Sequence, residues 1–315
     1  MTGIGGFAGS HLAEYLIGQK IKVAGTVREA DNIANITHIR QRLTLYPLDL
    51  LEAGEIRDVV AYVKPNLIFH LAAQSAVPES WGDPEGTLTN NIVGQLNVLR
   101  AVLAAKFAPR ILIVGSNEEY GHILPDELPV RETNLLRPIN PYAVSKVAQD
   151  MMGYQYFASH SLKCIRVRPF NHIGPRQSDA FVASAFAKQV AQAEAGLCEP
   201  IIRVGNLDAW RDFTDVRDMV RGYDLALTKG KPGEIYNLGS GRMTRIRSLL
   251  DFFLSQAKIK IEVQEDPACL RPIDVPRTLC DYSKVRKRTG WEPRISLEQT
   301  LSDVLAYWRG CVTKT

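Results

Sequence analysis

Two side chains near the middle of the chain carry the clearest chemistry. Tyr142 and Lys146 stand four residues apart in Pro141-Tyr142-Ala143-Val144-Ser145-Lys146, and on a helix that spacing puts them one turn apart on one face. A phenol with its usual pKa near ~10 trades protons poorly at neutral pH. An ammonium held beside it favours the phenolate and lowers that value. Such a tyrosine can protonate a carbonyl oxygen as hydride arrives at the carbon, or do the reverse. Tyr-x-x-x-Lys alone suits an ordinary amphipathic helix equally well, so the surrounding elements have to decide.

At the amino terminus Gly3, Gly6 and Gly9 are spaced G-x-x-G-x-x-G and lead into a helical apolar pattern at Leu12, Tyr15 and Leu16. Glycines there permit a tight turn and let backbone N–H groups approach a pyrophosphate at the helix N-terminus. A short strand, Lys22 to Val27, follows at a βαβ interval. A dinucleotide fold also expects a buried strand of about five apolar residues before the loop. The sequence begins at the loop, so that first strand is expected to be missing before Thr2, as a mis-assigned start codon or a truncated sequence would leave it.

Arg28 follows the second strand, where an acidic residue would hold a ribose 2′-OH; arginine there favours the 2′-phosphate of NADP. A third strand, Leu43 to Leu48, delivers Asp49-Leu50 as a partner for the adenine amino group. Asn66 to Ala73 reads as a strand buried on both faces, and its small Ala72-Ala73 end leaves room for a cofactor. His70 has no histidine or carboxylate at ligand spacing and is read as structural. Ile111 to Ser116 presents Ser116, Asn117 and Glu118 at its carboxyl end, where ligands bind in open α/β sheets. Leu88 to Lys106 reads as one long helix with Leu88, Ile92, Leu96 and Leu99 on a stripe; Val98 and Val102 suggest a second apolar side, hence a subunit interface.

Past about residue 170 the alternation loses its regularity. Helical patterns run from Phe181 to Ala195, Val216 to Thr228, Ile246 to Ala257 and Leu297 to Trp308, with a last strand at Glu234 to Gly239. The expected architecture is α/β: a Rossmann-type doubly wound parallel sheet with a smaller, discontinuous C-terminal substrate-binding domain. Residues 1–170 and 214–240 make the dinucleotide domain, 171–213 and 241–315 the other. At 315 residues with 45% apolar and 23% charged side chains, the chain is of ordinary globular type. A net charge of +4 is too mild to argue for nucleic acid, and no apolar run approaches a membrane span. The five cysteines show no CxxC and no pairing with histidines, which reads as reduced thiols in a cytoplasmic protein without a metal site.

Together, Gly3-x-x-Gly6-x-x-Gly9, His70-Leu71-Ala72-Ala73-Gln74-Ser75, Ser116, Tyr142-x-x-x-Lys146 and Asn171 resemble the extended short-chain dehydrogenase/reductase family, which acts on nucleotide-linked sugars. The resemblance covers nearly the whole chain. Val204 to Phe213, with Asn206 and Arg211, is similar to the nucleotide-holding segment of the family's GDP-mannose branch, and Leu270-Arg271-Pro272 to its diphosphate loop.

This resemblance implies a catalytic set of Ser116, Tyr142, Lys146 and Glu118. It implies that Gly3, Gly6, Phe7 and Ala8, with Leu71, Ala72 and Ala73, hold NADP(H), or NAD(H), and that Tyr142 and Lys146 also touch the cofactor. Ser75, Asn171, Arg176 and Lys188 join Asn206, Arg211 and Arg271 as expected substrate contacts. The implied substrate is a GDP-linked 4-keto-6-deoxy sugar undergoing reduction, and the implied assembly is a homodimer through a four-helix bundle. Glu118 keeps 4,6-dehydration of GDP-mannose open, because a glutamate at that offset removes the C5 proton in dehydratases. A regulatory binding protein would be favoured by a broken Tyr/Lys pair, and here the pair is intact.

Overall fold

Apolar strands alternating with helices dictate a layered α/β arrangement. In the computed structural model, which describes residues 1–28, 33–105, 107–270, 273 and 275–313, the first half of the chain contains α1 (Phe7–Gly18), β1 (Val23–Val27), β2 (Leu43–Pro47), α2 (Ala53–Val63), β3 (Leu67–His70), α3 (Val77–Gly82), α4 (Pro84–Leu88), α5 (Gly94–Ala104), β4 (Arg110–Val114) and α6 (Pro141–His160). The second half adds β5 (Lys163–Pro169), β6 (Asn171–Ile173), α7 (Val182–Glu194), β7 (Ile201–Val204), β8 (Trp210–Asp215), α8 (Val216–Lys229) and β9 (Ile235–Leu238). It closes with β10 (Met243–Arg245), α9 (Ile246–Ser255), β11 (Glu262–Glu265), α10 (Ser283–Thr289) and α11 (Leu297–Val312).

The main sheet is parallel throughout: β1 pairs with β2, and β3-β4-β5-β9 form a continuous block. Thr2 joins the two parts by bridging Thr26 of β1 and His70 of β3. Its N–H donates to the Phe69 carbonyl at 3.0 Å, and the Met1 ammonium donates to that of Ala24 at 2.6 Å. The order is therefore β2, β1, Met1-Thr2, β3, β4, β5, β9, a Rossmann-type sheet.

Successive side chains alternate faces, and the two cores show it. Leu112 points into a core with Leu12 and Leu16 of α1, Met219, Val220 and Tyr223 of α8, and Val285 of α10. Its neighbours Ile111 and Ile113 point into the opposite core with Ile56 of α2, Val98 and Val102 of α5 and Tyr156 of α6. Each fully buried aliphatic chain of this kind contributes roughly 1.5–3 kcal/mol. A third core joins α7, α9 and α11 to β7 and β8 through Phe186, Val190, Phe213, Leu249, Phe253 and Val304. Val285 and Trp291 fall within the span assigned above to the second domain, yet they pack against the large sheet.

The helix expected from Leu88 to Lys106 differs from that reading. It opens at Pro84, where the Asp83 carboxylate accepts from the Gly86 N–H at 2.9 Å, and a π turn over Thr89–Val93 separates α4 from α5. Lys106 lies outside the described residues. The π turn inserts one residue into the register, so a stripe counted on one side does not continue on the other. Val98 and Val102 lie with Leu99 on one broad face of α5 and are buried together in the chain's own core, not presented to a partner; the large exposed apolar side chains are Val93 and Leu103. Among the described residues no helix is long and apolar enough to cross a membrane.

Candidate active site

Strand ends in a parallel sheet collect at one edge, and the expected residues follow that rule. Arg28 follows β1, Asp49 and Leu50 follow β2, Leu71 to Ala73 follow β3, and Ser116 follows β4. The glycine loop lies against the β3 end. A Cβ on Gly3, whose φ is +68°, would sit 2.9 Å from the Ala72 backbone, and one on Gly9 would sit 2.1 Å from the Gly3 carbonyl oxygen. Gly6 caps α1 without any side-chain cap, which leaves the first-turn N–H groups, including those of Phe7 and Ala8, open to an anion. This cradle fits a dinucleotide pyrophosphate. Asp49 accepts from the Leu51 N–H at 2.9 Å in a tight turn.

The chemical centre forms where α6 meets β4. Asn140 caps α6 by accepting from the Ala143 N–H at 2.7 Å, which sets Tyr142 in the first turn. Lys146 is buried and donates to the Val114 carbonyl at 2.9 Å; burial lowers it to about 8. Ser116 stands close enough to the Tyr142 phenol to draw its pKa down. The expectation that Lys146 lowers the tyrosine is corrected here. Burial pushes the phenol above its usual range, the Ser116 side chain pulls it down, and the Glu118 and Glu119 carboxylates push it up. The Lys146 ammonium, engaged by Val114, lies 5.8 Å from the phenol ring centre. Desolvation of a phenolate outweighs that distant charge, so the phenol holds its proton.

Glu118 accepts from the Asn140 side-chain amide at 3.1 Å, which keeps its carboxylate close to the α6 cap. Asn171 leads β6, which runs parallel to β8, and its buried Oδ1 has no hydrogen-bond partner among the described residues. Arg211 is buried on β8, where one guanidinium nitrogen donates to the Trp210 carbonyl at 2.9 Å. Asn206 accepts from the Asp208 N–H at 2.9 Å, and Ser75 is exposed after β3. Lys188 donates to Asp179 at 2.6 Å and lies 5.5 Å from the Trp308 ring centre. Arg271 lies outside the described residues.

Arg176, expected among the substrate contacts, stands against α1. It pairs with Glu14 of α1 at 2.7 Å and donates to the Asn35 carbonyl and to His11 Nδ1. His11 Nε2 faces the Pro175 carbonyl at 2.9 Å. A carbonyl only accepts and a guanidinium only donates, so His11 is the neutral Nε2–H tautomer. Burial, then Arg176, lowers it to about 4. Phe7 stacks on His172 with ring centres 5.8 Å apart.

The sequence reading missed several residues that shape the site. Asn91, in the π turn, accepts from the Gln74 N–H at 2.8 Å and donates to Ser145 Oγ at 2.9 Å, tying the β3 loop to α6. Glu119 is buried beneath Ser116. His70 donates to or accepts from Thr2 Oγ1 at 2.9 Å, in keeping with a structural part, and burial lowers it to about 3. No spacing in the sequence signals Asn91 or Glu119 as a partner of these groups.

Known proteins align along the whole chain. A family model described as GDP-mannose 4,6 dehydratase matches residues 1–304. The GDP-6-deoxy-D-mannose reductase of Pseudomonas aeruginosa is 34% identical over 314 residues, covering 99% of this chain and 97% of its own. The GDP-mannose 4,6-dehydratase of Yersinia enterocolitica is 29% identical, covering 97% and 92%. Among solved structures, RMD from Pseudomonas aeruginosa complexed with NADPH superimposes with a TM-score of 0.84 at 33% identity, covering 98% of this chain and 97% of that one. The Thermus thermophilus UDP-glucose 4-epimerase complex with NAD gives 0.88 at 27% identity, with 98% of each chain covered.

Proposed function

The chain belongs to the GDP-mannose 4,6 dehydratase family, within the extended short-chain dehydrogenase/reductases, and on that premise we propose that it reduces the C4 keto group of GDP-4-keto-6-deoxy-D-mannose to GDP-6-deoxy-D-mannose. NADPH, or NADH, supplies the hydride when bound. Identity of 34% along nearly the full length of both chains to a reductase of that name carries the reading, and the protonated, buried Tyr142 is compatible with it.

We assign Tyr142 as the proton donor to the C4 oxygen and Ser116 as the hydroxyl that hydrogen-bonds both that oxygen and the phenol. General acid catalysis of this kind is typically worth ~10²–10⁴-fold. Lys146 keeps positive charge beside the reacting pair and reaches the nicotinamide ribose hydroxyls. The glycine cradle, with Leu71 to Ala73, holds the dinucleotide, and Arg28 selects its 2′-phosphate. Asn171, whose Oδ1 lacks a partner among the described residues, and Arg211, which suits phosphate oxygens, are assigned to the GDP sugar. Arg271, Asn206, Lys188 and Ser75 complete that assignment.

We further propose a homodimer in the cytoplasm. Val144, Met151 and Tyr154 of α6, Leu103 of α5 and Val93 just before it are exposed apolar side chains on adjacent helices. Two such pairs packed across a two-fold axis make a four-helix interface.

A second reading, 4,6-dehydration of GDP-mannose, draws on the Glu118 carboxylate near Tyr142. One experiment separates them. With GDP-4-keto-6-deoxymannose the enzyme is expected to oxidise NADPH stoichiometrically, and with GDP-mannose in deuterated water to give no product. Deuterium at C5 of a 4-keto-6-deoxy product would establish the dehydratase instead.

A further inference from the structure

Beneath the catalytic groups lies a chain of buried charges that the proposed reaction does not use. Glu119 is fully shielded from solvent, with Oε1 accepting from the Ser116 N–H at 2.7 Å and Oε2 from Arg168 Nε at 2.9 Å. Arg168 also donates to Asp150, whose other carboxylate oxygen accepts from Arg166 at 2.8 Å. Asp150 stands one turn beyond Lys146 and two beyond Tyr142 on the same face of α6. The fit is close. A Cβ on Gly115 would fall 2.1 Å from Glu119 Oε1, so glycine alone leaves room for this carboxylate.

Buried ion pairs are weak sources of stability, since each ion gives up its hydration. Two carboxylates and two guanidiniums in this place need another explanation, and geometry offers one. Ser116 is an N-cap with extended backbone (φ −160°, ψ 151°), followed by a 3₁₀ turn of four residues, Asn117–Tyr120. Its Oγ also accepts from the Glu118 N–H at 3.1 Å. The Glu119 carboxylate fixes the Ser116 N–H, and so the backbone from which Oγ projects, while the Glu118 N–H holds Oγ itself.

We propose that Glu119 is a positioning residue for proton transfer: it clamps the Ser116 backbone and, through Arg168 and Asp150, ties that strand end to the helix bearing Tyr142 and Lys146. The proposal rests on the reading above only in taking Ser116 as the hydroxyl that meets the reacting oxygen. Glutamine offers one acceptor oxygen where glutamate offers two, so Glu119→Gln loses either the Ser116 or the Arg168 contact. Alanine loses both.

A double-mutant cycle with Ser116→Ala tests it. A misplacement of about 1 Å costs on the order of 10²-fold, so Glu119→Ala should lower kcat by ~10²-fold and Glu119→Gln by about tenfold. The KM for the GDP sugar and the NADPH Kd should stay within about twofold, since only transition-state contacts change. In the Ser116→Ala background both losses should shrink to less than about threefold, because the group being positioned is gone. Equal losses in the two backgrounds, or no loss in either, would overturn the clamp. Should Glu119→Ala give no cooperative unfolding transition, Glu119→Gln carries the cycle with the same two outcomes. The cycle is run on the reduction, or on GDP-mannose dehydration if the wild type performs that, since both pass a proton through Ser116 and Tyr142. The wild-type reaction thus tests the functional reading and the cycle tests the clamp.

Discussion

A lysine serves this site only while it keeps its proton, and Lys146 keeps it less firmly than an exposed lysine would. Burial disfavours the ammonium and brings its pKa down to about 8. The sign follows directly: below about 8 the side chain is charged, and above it the charge is lost. The kcat/KM for NADPH, which reports groups of the free enzyme, should therefore be level near neutrality and fall as pH rises through about 8. A profile level to pH ~10, the ordinary lysine range, would remove the electrostatic part assigned to Lys146. Tyr142 responds in the opposite sense. Its phenol is pushed up by burial, so it remains a proton donor across the same range.

Elements position these groups through a few side-chain ties. The π turn between α4 and α5 aims Asn91 at both the Gln74 backbone and Ser145, so one amide holds the loop after β3 against the catalytic helix. Gln149 reinforces the tie by donating to the Asn91 carbonyl at 2.8 Å. Asn91→Ala leaves buried groups unpaired at a cost of roughly 1–3 kcal/mol, readable as a lower urea midpoint. It should also weaken NADPH binding, because Ala72 and Ala73 lose their anchor. Fluorescence titration showing unchanged NADPH affinity would confine Asn91 to stability alone.

At the scale of the whole molecule, the exposed apolar row on α6 is the prominent unexplained surface. Tyr154 is 49% exposed, Val144 45% and Met151 42%, on a helix of 20 residues, a length that spans about 30 Å. Sedimentation at micromolar concentration should give a dimer, and Met151→Glu, which puts a charge into the exposed apolar row, should give a monomer. A wild-type monomer would rule out the four-helix interface.

The sequence by itself determined the parts that depend on local pattern. Glycine spacing, apolar strands and the Tyr142–Lys146 interval are read within a few residues, and they sufficed for the Rossmann-type sheet and for bringing Ser116 beside Tyr142. Tertiary structure decided what depends on distant partners or on exclusion of water. Val98 and Val102 turn inward because α5 packs against α2 and the sheet over a broad face, a width of burial that no periodicity reveals. Arg176 meets Glu14, 162 residues earlier, a pairing that no local spacing reveals. The Tyr142 pKa rises because burial outweighs a lysine already held by Val114. Glu119 meets Arg168 across 49 residues, and only the folded sheet makes that acidic side chain a neighbour of Ser116 and of α6.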